Sequence, residues 1–179
     1  MTTNLPTVDY LRECFAYDGE TGNLIWRVRP PQHFATQRAC STFNARYAGT
    51  VAGSKSRSCV SVKVLDRLHK AHRIVWALTH GAWPTETLDH VNRDPHDNRV
   101  ANLRRASNRQ NQYNRGPNRN NTSGYKGVSY FVRNDKWGAQ IYRDKKAVFL
   151  GLYDTPEGAA AAYDRAAREL AGEYACVSA

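Results

Sequence analysis

No run of eighteen apolar residues occurs in this 179-residue chain, so no stretch of it is long enough to span a bilayer as a helix. The first twenty residues carry Asp9, Arg12, Glu13 and Asp18 and lack the apolar core of a secretory signal. A soluble protein that stays inside the cell making it is expected. Cysteine is sparse: Cys14, Cys40, Cys59 and Cys176 form no C-x-x-C pair and no dense framework. That excludes a paired-thiolate zinc site and a disulfide scaffold, and the four are expected to be reduced. Acid is missing from one whole stretch, Arg99 to Arg119, which holds six arginines.

What is present is an excess of base. The formal net charge is +10 and the pI about 9.7, so a polyanion is the first partner to consider. The excess is +3 over residues 1–66, +6 over 67–119 and +1 over 120–179. Arginine forks match phosphate bidentately, and each neutralised phosphate releases counterions. With 41% apolar and 11% aromatic residues, the chain can form one medium domain or two small ones.

Val8, Leu11 and Phe15 stand at helical spacing behind a capping Thr7, and Leu24–Arg29 reads as a strand ended by Pro30-Pro31. Residues 32–47 show no period and are expected to be a loop. "YAGTVAG" and the alternating Val60, Val62, Val64 predict further strands, with a tight turn near Asp66-Arg67. Ile74, Val75 and Leu78 make a helical face stopped by Gly81 and Pro84. Asp97 or Asn98 is expected to cap a short helix carrying Val100 and Leu103, and Ser107–Gln110 has the form of a capping box. "GPNRNNTSG", residues 116–124, reads as an interdomain linker. Beyond it three strand-like runs precede a helix with Thr155 as cap, Pro156 at its first position and Gly172 at its stop.

Residues 88–115 concentrate the polar chemistry, with two histidines, three acids, six arginines and six asparagines. Asp89-His90 is placed at a strand end, with Asn102 twelve and Asn111 twenty-one residues beyond His90. Such an Asp-His pair can be purely structural. With a returning amide ligand it also supplies what a one-metal phosphodiesterase needs. A carboxylate and an amide oxygen are hard ligands that suit Mg²⁺, and a histidine that titrates near neutrality suits a general base. Asn98 is expected to be a cap or loop fastener, His96 a loop residue, and Arg73 a contact to phosphate or solvent.

"HRIVWALTHGAWPTETLDHVNRDPHDNRVANLRRASNRQNQYN" resembles the HNH homing-endonuclease family, in the subgroup whose final His is Asn. "YDGETGNLIWRVRP" resembles the N-terminal region of its phage-encoded members. The resemblance implies a ββα-metal finger that hydrolyses a DNA phosphodiester, leaving 5′-phosphate and 3′-hydroxyl. It implies His90 as general base, Asn102 as the residue ordering the finger loop, and Asp89 and Asn111 as ligands of one Mg²⁺ or Mn²⁺. Arg73, Arg93, Arg99, Arg104, Arg105, Arg109 and Arg115 are the candidates for phosphate.

"YKGVSYFVRNDKWGAQI" with "FLGLYDTPEGAAAAYDRAARELAG" is similar to the plant APETALA/ethylene-response-factor DNA-binding domain, whose sheet enters the major groove. That implies contacts from Lys126, Arg133, Lys136, Gln140, Tyr142, Lys146 and Phe149, with Trp137, Ile141, Leu150, Tyr153 and Tyr163 as core. Ser129 and Tyr142 stand where the plant domains carry arginines, so the plant target sequence does not transfer.

The expected fold is α+β: a ββα-metal nuclease domain over 1–115, a linker at 116–124, and three antiparallel strands backed by one helix over 122–179. The expected protein is a homing-type DNA endonuclease in the cytoplasm of a bacterial host, phage-encoded, monomeric or weakly dimeric. Its partner is double-stranded DNA, with no membrane and no small-molecule cofactor. Two alternatives stand beside it. One is a DNA-binding regulator with a degenerate centre, which the filled positions of the centre oppose. The other is an RNA-binding protein, opposed by how few strand aromatics lie outside the expected core.

Overall fold

A computed structural model describes residues 5–144 and 146–178; residues 1–4 of the expected nuclease domain and part of the turn expected at Asp144-Lys145 lie outside these. The fold is α+β, built from small antiparallel sheets and helices, and the chain divides into two units, one through Arg105 and one from Ala106.

In the first unit α1 (Val8–Cys14) starts where the Thr7 hydroxyl accepts the Tyr10 amide, and it runs directly into β1 (Phe15–Tyr17). β1 pairs with β2 (Leu24–Trp26) through a turn in which the Asp18 carboxylate accepts from Glu20 N–H and Thr21 Oγ1. Residues 47–53, expected as a strand, are a correction. Val51 makes a single bridge to Ile25, and Gly49 and Gly53 take left-handed conformations, so the segment follows the edge of β2 irregularly. Regular pairing resumes in β3 (Ser54–Lys55), β4 (Val60–Val64) and β5 (Arg67–Lys70). The β4–β5 turn is Leu65-Asp66, one residue earlier than expected, with both residues at positive φ as a two-residue hairpin turn requires.

The loop expected over 32–47 is also corrected, because Gln37–Tyr47 forms α2, capped by Thr36. Cys40 is the one buried residue in its eleven and Phe43 is partly buried against the core, so the apolar stripe is short. Arg29, outside the helix, holds it: Asn44 bonds the N–H and C=O of Arg29, and the Arg29 guanidinium lies 5.0 Å from the Phe43 ring.

α3 (Ala71–His80) supplies the centre of the core, with Ile74, Val75 and Ala77 fully buried beside Leu11, Cys14 and Val62. Each such aliphatic side chain contributes about 1.5–3 kcal/mol. From this core β6 (Thr87–His90) extends and pairs with β7 (Leu103–Ala106). The short helix expected to carry Val100 and Leu103 is a single 3-10 turn over Val100–Asn102, and Leu103 already belongs to β7, where it is buried.

The second unit begins with α4 (Asn108–Asn114), whose capping box between Ser107 and Gln110 is formed in both directions. Its sheet has the order β10-β9-β8, from β8 (Val128–Phe131), β9 (Lys136–Arg143) and β10 (Lys146–Tyr153). α5 (Pro156–Ala171), opened by Thr155 and Pro156, lays Ala159, Ala160 and Tyr163 on one face of the sheet. Gly127, at positive φ, lets Tyr163 lie where any Cβ would stand. α4 and the segment expected as a linker belong to this unit. Tyr113 donates to the Tyr142 carbonyl, and its own carbonyl accepts from Lys126 Nζ and Cys176 N–H.

Candidate active site

Asp89 and His90 are the last two residues of β6, and the amide of Val91 donates to the Asn102 carbonyl at 2.9 Å, closing the base of the hairpin. Asp89 is buried and His90 half-buried. The loop between them and β7 is ordered by its own amides. Asn102, buried, accepts the Asn92 N–H and donates through Nδ2 to Asn92 Oδ1 and the Asp97 carbonyl, all at 2.8–2.9 Å. Asn92 in turn donates to Asp97 Oδ2, and its Oδ1 accepts the Asp94 amide. Asn102 thus ties the two ends of the loop together.

His90 Nε2 lies 3.2 Å from Oδ1 of Asn98, a residue only 3% exposed. An amide oxygen can only accept, so Nε2 is the donor in this contact. The sequence predicts Asn98 to be a cap or loop fastener; the structure sets its amide oxygen against His90, a contact that only the D-N-R triplet hints at. Its backbone is braced from outside the loop. The turn at Gly22 presses on it so closely that a Cβ there would meet Asn98 C at 2.8 Å and Arg99 N at 2.5 Å. Tyr17 Oη accepts the Val100 amide, and His96 Nε2 donates to the Ser56 carbonyl at 2.8 Å. The N-terminal hairpin therefore buttresses the loop.

The His72 ring meets the His90 ring edge-on, centroids 5.0 Å apart. His72 is buried, and its Nδ1 has no hydrogen-bond partner among the described residues. Burial first, then the neighbouring His90, pushes its pKa down to about 3, so it stays neutral at physiological pH.

The arginines separate into kinds. Arg104 places Nε and Nη2 at 3.0 and 2.9 Å from Asp89 Oδ2, so it neutralises that carboxylate in this structure. Arg73 donates to the Pro84 and Glu86 carbonyls and fixes the approach to β6. Arg99 forks onto Asp97, whose pKa its hydrogen bonds draw down to about 2. Arg93 and Arg105 are exposed, the latter over the Trp76 ring. In the second unit Asn111 lies in the first turn of α4, Arg109 pairs with Asp144, and Arg115 is exposed.

Of the residues expected on the sheet, Lys136, Gln140, Tyr142 and Phe149 share the face turned away from α5, by their alternation and register. Arg133 lies in the turn before β9 and Lys146 opens β10, both exposed. Lys126 is committed to the Gln112 and Tyr113 carbonyls.

No three histidine, cysteine or acidic side chains gather into a metal cluster among the described residues. The donors are one buried carboxylate and amide oxygens. That set suits a hard ion that keeps most of its waters, and it does not suit zinc.

Residues 69–113 match the HNH endonuclease family. Protein 3.8 of Escherichia phage T7 is 30% identical over 116 residues, 64% of this chain and 95% of that protein. The C-terminal part is similar to plant proteins. APETALA2-like protein 2 of Oryza sativa is 45% identical over 58 residues, 32% of this chain, and the chain spans only 13% of that protein. Ethylene-responsive transcription factor WRI1 of Arabidopsis thaliana is 39% identical over 93 residues, 51% of this chain and 20% of its own length. No solved structure matches. A β-hairpin ending in Asp-His, an asparagine-ordered loop and these relatives lead to one assignment: the chain belongs to the family of phage T7 protein 3.8, with an HNH endonuclease segment followed by an APETALA2-like module.

Proposed function

We propose that this chain is a homing-type DNA endonuclease that uses one divalent cation, with residues 1–115 as the cutting part and 116–124 leading into the DNA-addressing part, 122–179. The observation that carries the reading is His90 held by buried Asn98 beside buried Asp89, an oriented base next to a hard ligand. His90 Nδ1 takes the proton of the attacking water while Asn98 keeps the ring from turning. Asp89 and Asn111 are the residues that would hold Mg²⁺ or Mn²⁺. The cation, when bound, supplies stabilisation of the charge that develops on the phosphate and leaving oxygens. Exposed Arg93, Arg105 and Arg115 hold neighbouring phosphates, and hydrolysis leaves 5′-phosphate and 3′-hydroxyl. The enzyme works inside a bacterial cell on double-stranded DNA, as a monomer or weak dimer and without a small-molecule cofactor.

The Arg104 fork on Asp89 favours a second reading, a DNA-binding regulator whose centre is silenced by its own arginine. Plasmid incubated with Mg²⁺, with EDTA and with His90→Ala separates the two. The endonuclease reading expects cutting in the first alone. Absence of Mg²⁺-dependent cutting, or full cutting by His90→Ala, rejects it.

A further inference from the structure

The face of the β8–β9–β10 sheet that α5 leaves open has an unusual make-up. Ser129 and Phe131 from β8, Gly138, Gln140 and Tyr142 from β9, and Ala147 and Phe149 from β10 share it by register. Phe131, Tyr142 and Phe149 are 37%, 63% and 55% exposed, far from the scarcity of free aromatics read from the sequence. Gly138 has no side chain, so the Phe131 ring lies over its Cα and meets Phe149 edge-on at 5.9 Å. Gln140 stands directly opposite Phe149. Lys136 stands at one end of this face beside Arg133 of the preceding turn, and exposed Arg143 and Lys146 close the other end of the sheet, on its α5 side by register. Their pairings with Asp154 and Asp144 are between exposed side chains and are weak competitors for phosphate. A cleft of about 770 Å³ opens beside Gln140 and Tyr142, with Arg109 and Arg115 in its wall.

A polyanion fits the charged ends, and the middle must then meet bases. No arginine or lysine stands in the middle to fork onto guanine. A glutamine amide matches the adjacent acceptor and donor of adenine, and aromatic carbon complements the thymine 5-methyl group, which cytosine lacks. Stacked single-stranded bases would need open ring faces, and Phe131 already spends one on Gly138. We infer that this face reads A·T base pairs in duplex DNA, Gln140 bonding adenine while Phe131, Tyr142 and Phe149 pack on thymine methyl groups. The inference rests on the reading of residues 122–179 as the DNA-addressing part, and it names what that part recognises.

The test uses the full chain in EDTA. A bound duplex is enriched from a random-sequence pool, then remade with uracil for every thymine. Each buried methyl lost weakens binding by about fourfold, so two contacts give more than about tenfold. Phe149→Ala lowers the thymine duplex toward the uracil value and shrinks the difference, and Gln140→Ala relaxes the choice of adenine at one position. Equal affinity for thymine and uracil duplexes, an enriched site without A·T pairs, no enrichment, or tighter binding of the single strands would each overturn it. Mg²⁺-dependent plasmid cutting is measured in parallel. Cutting with equal thymine and uracil binding rejects only the methyl reading, whereas methyl-dependent binding without cutting rejects only the nuclease.

Discussion

Gly22→Ala tests whether the N-terminal hairpin holds the 91–102 loop that carries Asn98. Gly22 has φ 76°, and an L side chain in that region costs about 1–2 kcal/mol. The added Cβ would also stand 2.5 Å from Arg99 N and 2.8 Å from Asn98 C, where ordinary contact is 3.4–4 Å. Those neighbours are backbone and cannot swing aside, so overpacking adds about 1–3 kcal/mol. A total near 2–5 kcal/mol lowers the melting temperature by roughly 10 °C. The relief route is a shift of Asn98, whose bond to His90 is already 3.2 Å long, and a misplacement approaching 1 Å at a catalytic group costs on the order of a hundredfold in rate. Gly49→Ala is the control. It shares a positive φ of 80° but meets nothing within 4 Å, so it costs only the backbone term of about 1–2 kcal/mol and leaves cutting alone. Mg²⁺-dependent plasmid nicking is followed well below each melting temperature. Wild-type nicking by Gly22→Ala would refute the buttress.

Asn102→Ala strips the loop of three side-chain hydrogen bonds, about 1 kcal/mol each, and the Asn92 amide should lose protection from hydrogen exchange; unchanged protection contradicts the network described. Arg73→Ala leaves the Pro84 and Glu86 carbonyls without their donor and should cost about 1–3 kcal/mol in urea unfolding, a loss expected to be absent if the side chain served only phosphate. Asp97 is held below its ordinary pKa, so its contribution is complete above the usual carboxylate range and is lost as pH falls through about 2; Asp97→Asn should flatten that acid limb in a pH series of melting curves. His72 is depressed to about 3, so the unfolded chain takes up its proton first and stability declines as pH drops from about 6.5 toward 3. His72→Phe should reduce that slope, and an identical slope would show that the burial is not felt.

Elements whose signals are local were legible in the sequence. The capping box at Ser107–Gln110, the Thr155-Pro156 start of α5 and the alternating valines of β4 all formed as read. α2 was not legible, because its apolar stripe is short and its anchor is the long-range contact of Asn44 and Phe43 with Arg29. The strand expected at 47–53 failed where Gly49 and Gly53 break extended backbone. At the site, the family resemblance names Asp89, His90, Asn102 and Asn111, whereas the residues alone leave Asp89-His90 open to a structural reading. The Asn98 contact to His90, the Gly22 brace and the Arg104 fork on Asp89 are long-range or depend on which way a side chain turns, and periodicity carries no record of that.

Arg29 is counted in the formal charge of +10, yet it lies within 4.7–5.8 Å of the rings of Tyr10, Trp26, Phe34 and Phe43 and donates to the Tyr10 hydroxyl. It serves as a half-buried clamp on these rings that happens to be ionised. Its partners carry no net charge, so added salt has little to screen and the attachment of α2 should survive ionic strengths that strip surface ion pairs. The ion atmosphere of a bound polyanion would not register this guanidinium. A count of counterions released on association should therefore fall short of one based on the arginine content.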